Sequence, residues 1–235
     1  MGYECPPEGG CIVRYAALPA LVVTFATASF GPTLVGIRAV EVQSSDAKPV
    51  RTIKDGVLDE IQLYVETPPS QSTTRVVMRP FSATDADLGT GGSGGKERRQ
   101  TEAKMMQSEA PKVLADRFVT ALKESGPYTD VSLLDAGAAA PPDAIVVEGK
   151  FTALDPGSQA KRYFVGFGAG KSMVGVSGSV KTSEGKVLAT FAHRRISAMG
   201  VGGGDSLGKL TDDSRGIGAD IAKFLSAWAN QKKLK

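Results

Sequence analysis

Cysteine and histidine are nearly missing from this chain, and their positions matter more than their number. The two cysteines, Cys5 and Cys11, both precede an apolar run, so a product cut after that run contains no thiol. This excludes thiol catalysis, thiolate metal sites and structural disulfides together. Were the leader kept, a bridge between Cys5 and Cys11 would close a short loop and stabilise little. The single histidine, His193, leaves general-base chemistry with one candidate and no positioned nucleophile, and it reads as a strand-end or surface residue beside Arg194 and Arg195. With no second imidazole and no spaced acidic loop, neither a metal site nor a cofactor is expected. A charge of one sign is lacking as well, since 28 basic residues face 25 acidic ones. The pairs Arg98-Arg99 and Arg194-Arg195 stand alone, without interleaved aromatics, so no nucleic-acid partner is expected.

The sequence is not short of apolar material. At 41% apolar residues over 235 positions it can bury roughly 70% of its extended surface and fold without metal or disulfide. Residues 15–28 (YAALPALVVTFATA) follow Arg14 and end in Ala26-Thr27-Ala28, the small residues a signal peptidase accepts before Ser29. The run is shorter than the roughly 20 residues a spanning helix needs, and Pro19 interrupts it. Residues 1–28 are therefore expected to be a signal peptide, leaving a mature chain without a transmembrane span in the periplasm or outside the cell. Glu4 and Glu8 sit where a leader favours basic residues, which a start assigned too far upstream would explain. Neither cysteine stands where lipid is attached.

Residues 29–74 are expected to form a small lobe or a mobile lead-in, with a strand at 34–42 and a short helix at 52–65. The main domain is expected over 75–230. It opens with a β-branched strand at 75–81 that Pro80 ends, followed by a Gly-rich loop at 88–95. Residues 97–124 carry helical spacing through Ala110, Leu114, Phe118 and Leu122, with Pro111 either dividing or kinking the helix. Strands are expected at 131–134, at 144–154 with a bend or bulge at Gly149, at 162–167, and as a hairpin pairing 173–181 with 186–193 across Ser183-Glu184-Gly185. In that hairpin Gly175, Ser177 and Ser179 fall on one face and imply a close neighbour there. A last helix, capped by Asp212, Asp213 or Ser214, presents Ile217, Ile221, Phe224, Leu225 and Trp228 to the sheet. Residues 231–235 are expected to be a solvated basic tail.

Gly166-Phe167-Gly168-Ala169-Gly170-Lys171-Ser172 invites comparison with a phosphate-binding loop, but GxxxxGK[ST] requires glycine where Val165 stands. Such a loop also needs a helix directly after it, and Ser172 onward reads as strand. A dinucleotide fingerprint fails for the same reason. What remains is a strand-to-strand transition, with weak capture of an anion by Arg162, Gly168, Gly170, Lys171 and Ser172 as the one ligand site to propose.

The series Ile145-Val146-Val147-Glu148-Gly149-Lys150-Phe151, Leu154-Asp155-Pro156-Gly157-Ser158, Arg162 and Gly166 through Ser172 resembles the bacterial proteins grouped as domain of unknown function 4410. The resemblance covers about residues 75–228 and implies an exported or envelope-associated protein; it supplies no catalytic residue. The fold expected is an α/β (α+β) sandwich, a mixed and largely antiparallel sheet of about four to six strands with amphipathic helices packed on one face. The function expected is a non-enzymatic periplasmic or envelope-associated binding or assembly module. Its partner would be an envelope protein or a second copy of itself, meeting a sheet edge or the face around Gly175, Ser177 and Ser179. The alternatives are a binding protein or enzyme acting on an anionic envelope ligand, and a cytoplasmic nucleotide-binding protein.

Overall fold

A computed structural model describes residues 48–68, 74–89, 96–128, 130–157, 171–197 and 206–235. The signal peptide expected at 1–28, the strands expected at 34–42 and 162–167, and the Gly-rich stretches at 91–95 and 200–204 lie outside the described residues.

Three eleven-residue strands form the centre. β5 (Ile145–Asp155) pairs antiparallel with β6 (Ser172–Thr182), which pairs antiparallel with β7 (Val187–Ser197). The β6–β7 turn closes where the sequence places it: Gly185 takes φ 90, and its N–H donates to the Thr182 carbonyl at 2.9 Å. Around this centre lie β1 (Arg51–Lys54), β2 (Glu60–Leu63), β3 (Val76–Met78) and β4 (Val131–Leu133). The order is β1-β2-β7-β6-β5-β3-β4, with β3 parallel to both β4 and β5 and the other pairs antiparallel. The sheet is thus mixed and largely antiparallel, with seven strands among the described residues rather than four to six.

Two helices, α1 (Lys96–Ser125) and α2 (Ser206–Ala229), pack on it as an α/β sandwich. α1 runs unbroken through Pro111, because a single buried stripe of Ala103, Met106 and Ala110 before the proline and Leu114, Phe118 and Leu122 after it meets the same core. The helices touch closely at Gly218, where a Cβ would come within 2.3 Å of the Leu114 carbonyl oxygen.

Between helices and sheet runs a row of aromatics. Phe151 meets Phe81 edge-on at 6.4 Å, Phe81 stacks on Phe191 at 6.4 Å, Phe191 meets Phe224 at 6.2 Å, and Phe224 stacks on Trp228 at 5.8 Å. Two glycines make room for it. Gly149 and Gly178 face each other across β5 and β6; a Cβ on Gly149 would lie 2.7 Å from the Phe81 ring, and one on Gly178 would lie 2.6 Å from the Phe191 ring.

Four local expectations need correction. Residues 52–65 form the β1–β2 hairpin instead of a helix: Ile53, Ile61 and Leu63 are buried with a period of two, and Asp55 at φ 53 begins the turn. These strands join the sheet through β2 and β7. The bulge in β5 falls between Phe151 and Ala153, leaving Gly149 in register. Asp212, Asp213 and Ser214 cap nothing, since α2 starts at Ser206 and encloses them. Finally, the basic tail is anchored: Leu234 is buried and its carbonyl accepts the Val57 N–H at 3.0 Å, so the C-terminal residues clasp the β1–β2 turn.

Two stability predictions follow from this core. Gly149→Ala drives a methyl to within 2.4 Å of the Ser177 carbonyl oxygen, which the sheet holds fixed, and should cost about 1–3 kcal/mol in urea unfolding. Tyr128 is buried with its hydroxyl unpartnered among the described residues, and burial pushes its pKa up to about 12. Above the ordinary value of about 10 the unfolded phenol ionises first, so stability should fall as pH rises from about 10 toward about 12. Tyr128→Phe should remove that loss and gain about 1 kcal/mol at neutral pH.

Candidate functional site

Polar side chains gather at two places on this frame: the face of the sheet away from the helices, and the seam between β7 and α2.

On the outer face, β6 contributes Gly175, Ser177, Ser179 and Lys181, the alternate set to the buried Val174, Val176 and Val180. Among the described residues, the expectation of a layer close against these small residues is met only by the Thr152 hydroxyl of the neighbouring strand, 2.7 Å from where a Gly175 Cβ would stand. Both described helices lie on the other side, so Ser177 and Ser179 border a groove of 580 Å³. Its walls are Arg79, Glu148, Lys150 and Thr190, and the paired backbone of Gly149 and Gly178 forms its floor.

The charges along this groove are unequal. The Lys181 ammonium donates to Glu148 Oε1 at 2.6 Å, and the Arg79 Nε lies 3.5 Å from Glu148 Oε2. Arg79 is fixed from behind by a 2.8 Å hydrogen bond from Nη2 to the Ala138 carbonyl, in the loop after β4. Val77, Ala144 and Val146 bury a second small core beneath that loop with Leu134 and Ala140. Lys150 stands exposed with no ion-pair partner among the described residues. Among the described residues Glu148 is thus answered by two cations, and Lys150 is left over.

The seam matches a strand of period two to a helix climbing the other way. Phe191 packs on Phe224 inside the core; beyond it His193 Nε2 lies 3.1 Å from Asp220 Oδ2. Arg195 donates to the same oxygen from Nε at 3.0 Å and brings Nη2 to 2.9 Å of it, and the Ser197 hydroxyl donates to Asp213 Oδ1 at 2.7 Å. Gly216 leaves room here, since a Cβ would lie 2.4 Å from the Arg195 guanidinium carbon and would oblige that side chain to shift. On its far side His193 Nδ1 stands 3.5 Å from Asp59 Oδ1 without a hydrogen bond, while Asp59 Oδ2 accepts the Arg194 N–H at 2.9 Å.

His193 is therefore a largely buried strut within β7 rather than a strand-end or surface residue. Both ring nitrogens face carboxylates, and no nucleophilic hydroxyl, thiol or amine bonds to the ring among the described residues. Burial pushes the Asp220 carboxyl up, but the hydrogen bonds and charges of His193 and Arg195 more than offset it and hold it below the ordinary carboxylate range.

Of the residues singled out from the glycine segment, Arg162, Gly168 and Gly170 lie outside the described residues. Lys171 is exposed. Ser172 opens β6, buried, with its hydroxyl donating to the Ser197 carbonyl at 3.3 Å. The backbone after Lys171 is extended, so no helix N-terminus follows the glycines to hold a phosphate. Among the described residues no three His, Cys, Asp or Glu side chains converge as a metal site, and no helix is long and apolar enough to cross a membrane.

Sequence reasoning missed Arg79, Glu148, Lys150 and Lys181 as a group. Part of the signal was present: Glu148 and Lys150 have opposite parity to Val147 and Phe151, so they had to leave the core side. The trio of Asp59, His193 and Asp220 spans three elements far apart in sequence and left no local trace.

Asp220 makes acid stability testable. Its depressed pKa contributes stability that is present above the unfolded carboxyl value of about 4 and is lost as pH falls through the folded value. Asp220→Asn should cost about 1–3 kcal/mol at neutral pH by leaving Arg195 without its charge partner, and it should flatten the stability profile below about pH 4. Urea unfolding between neutral and acid pH measures both.

The family model described as domain of unknown function (DUF4410) matches residues 70–201. No curated protein matches the chain. Among solved structures, a PelC dodecamer from Paraburkholderia phytofirmans is similar at 12% identity and a TM-score of 0.38, covering 69% of this chain and 96% of that one. A point variant of that dodecamer from the same organism gives 13% identity and a TM-score of 0.38, with coverage of 68% and 97%. A crystal structure of an uncharacterized protein gives 12% identity and a TM-score of 0.34, with coverage of 68% and 95%. The chain belongs to the family described as domain of unknown function 4410, whose exported and envelope-associated bacterial members agree with the periplasmic or secreted location expected from the sequence.

Proposed function

We propose that this protein is a non-enzymatic binding or assembly module of the bacterial envelope and that its contact surface is the outer face of the sheet. The observation that carries the reading is the groove between Arg79, Lys150, Ser177 and Thr190, which no described residue covers on the side opposite both helices. A sheet edge is the weaker choice of surface. The edge strands β1 and β4 are only four and three residues long, and β1 carries Arg51 and Lys54, features that discourage strand addition. The outer face instead offers hydroxyls and small side chains on long, fully paired strands, so a partner meets a rigid surface and little side-chain entropy is lost on contact.

A second reading places an anionic envelope ligand at Arg162, Gly168, Gly170, Lys171 and Ser172. Exposure of Lys171 supports it, and the inward turn of the Ser172 hydroxyl weakens it.

A photo-cross-linking side chain placed at Ser177 in the native host, with one at Asp116 on the exposed side of α1 as control, tests the face directly. Discrete adducts in intact envelopes are expected from position 177 and not from position 116. Equal labelling at both, or labelling at 116 alone, would remove the sheet face as the contact surface.

A further inference from the structure

We propose that the groove on the outer face receives an extended acidic segment of a partner polypeptide, an inference that rests on the binding-module reading and names the chemistry of its partner. The argument begins with charge. Arg79 and Lys181 both engage the carboxylate of Glu148. Lys150, two residues further along β5, is exposed and lacks an ion pair among the described residues. A ligand bearing carboxylates therefore meets uncompensated positive charge at Lys150, whereas a cationic ligand would be repelled there and would find Glu148 already engaged.

Spacing comes next. Glu148 and Lys150 lie two residues apart on β5, so the cations clustered at Glu148 and the ammonium at Lys150 are separated by about 7 Å along the strand, from a rise of about 3.4 Å per residue. An extended peptide repeats its same-side chains at that interval, so alternate acidic residues match the two positions. Between them the groove presents the hydroxyls of Ser177, Ser179 and Thr190, short enough to let a main chain approach and able to donate or accept hydrogen bonds.

The lining also argues against a polynucleotide. Its one aromatic residue is Phe191, whose ring is buried beneath the sheet between Phe81 and Phe224, so no ring is presented for base stacking.

The test is titration of the full chain with a short oligo-glutamate peptide, read by isothermal calorimetry and by amide shifts at Ser177 and Ser179. Oligo-lysine, inorganic phosphate and oligothymidylate serve as comparison ligands. Binding of oligo-glutamate alone is expected, weakening as salt rises, since these exposed charges are screened within about 10 Å at 0.1 M. Lys150→Glu, an exposed change that leaves the core untouched, should weaken it roughly tenfold. Lys123→Glu on α1, with the same change in net charge, should leave it unaltered.

Absence of binding at low salt, equal weakening by both variants, or equally strong binding of phosphate or oligothymidylate would overturn the proposal. If oligo-glutamate fails while cross-linking at position 177 persists, the sheet face stands and the acidic segment falls. If both fail, the binding-module reading falls too.

Discussion

The fold depends on a thin place in its sheet. Gly149 and Gly178 sit opposite one another in the middle of β5 and β6, where any side chain would strike Phe81 or Phe191. Glycine in a strand is ordinarily a weakness, since it loses more backbone entropy than other residues and packs nothing itself. Here the cost is offset by aromatic burial: Phe81 and Phe191 stack over the gap and connect Phe151 on one side to Phe224 and Trp228 on the other. Each such ring removes apolar area that contributes about 1.5–3 kcal/mol on burial.

Away from this row the structure changes from apolar to polar packing without changing its geometry. β7 continues straight from Phe191 through His193, Arg195 and Ser197, while α2 offers Phe224, Asp220, Gly216 and Asp213 in step with it. Asp220 has its charge balanced from two sides, which is what a partly buried carboxylate requires. Asp59 extends the same network to the β1–β2 hairpin through the Arg194 amide. That hairpin is held a second time by the buried Leu234 of the C-terminal tail, and a third by the Trp228 indole N–H, which donates to the Glu66 carbonyl at 2.9 Å just beyond β2. Two short strands that bury few side chains of their own are thereby fixed to the main sheet.

How much of this could be read from the sequence follows from the range of the interactions involved. The β6–β7 hairpin, the two amphipathic helices and the strand nature of residues after Lys171 are local patterns, and all three were legible in periodicity and turn chemistry. Residues 52–65 misled because Ile61 with Tyr64 or Val65 satisfies a helical spacing as well as Ile61 with Leu63 satisfies a strand. Asp55 in a left-handed conformation and the waiting edge of β7 decided between them. Gly149 looked like a bulge because a lone glycine within a strand usually marks one. Its real partner, the Phe81 ring, comes from a segment more than sixty residues earlier. Asp213 resembled a helix cap until the Ser197 hydroxyl, from the preceding strand, proved to be what it binds.

The two polar sites therefore separate by what their partners are. In the β7–α2 seam nearly every charge is answered by another charge of the same chain, and Gly216 leaves room for the Arg195 guanidinium beside Asp220. Such a site has its work inside the protein, as a strut between layers. On the outer face, among the described residues, Glu148 is answered twice and Lys150 by no ion pair, the surface is lined with hydroxyls on fully paired strands, and the edges beside it are too short to invite pairing. Residual charge on a rigid, open surface contributes nothing to folding that a neutral residue would not. Its physical consequence lies in what approaches from outside, which is why the functional reading rests on the sheet face and not on the lone histidine.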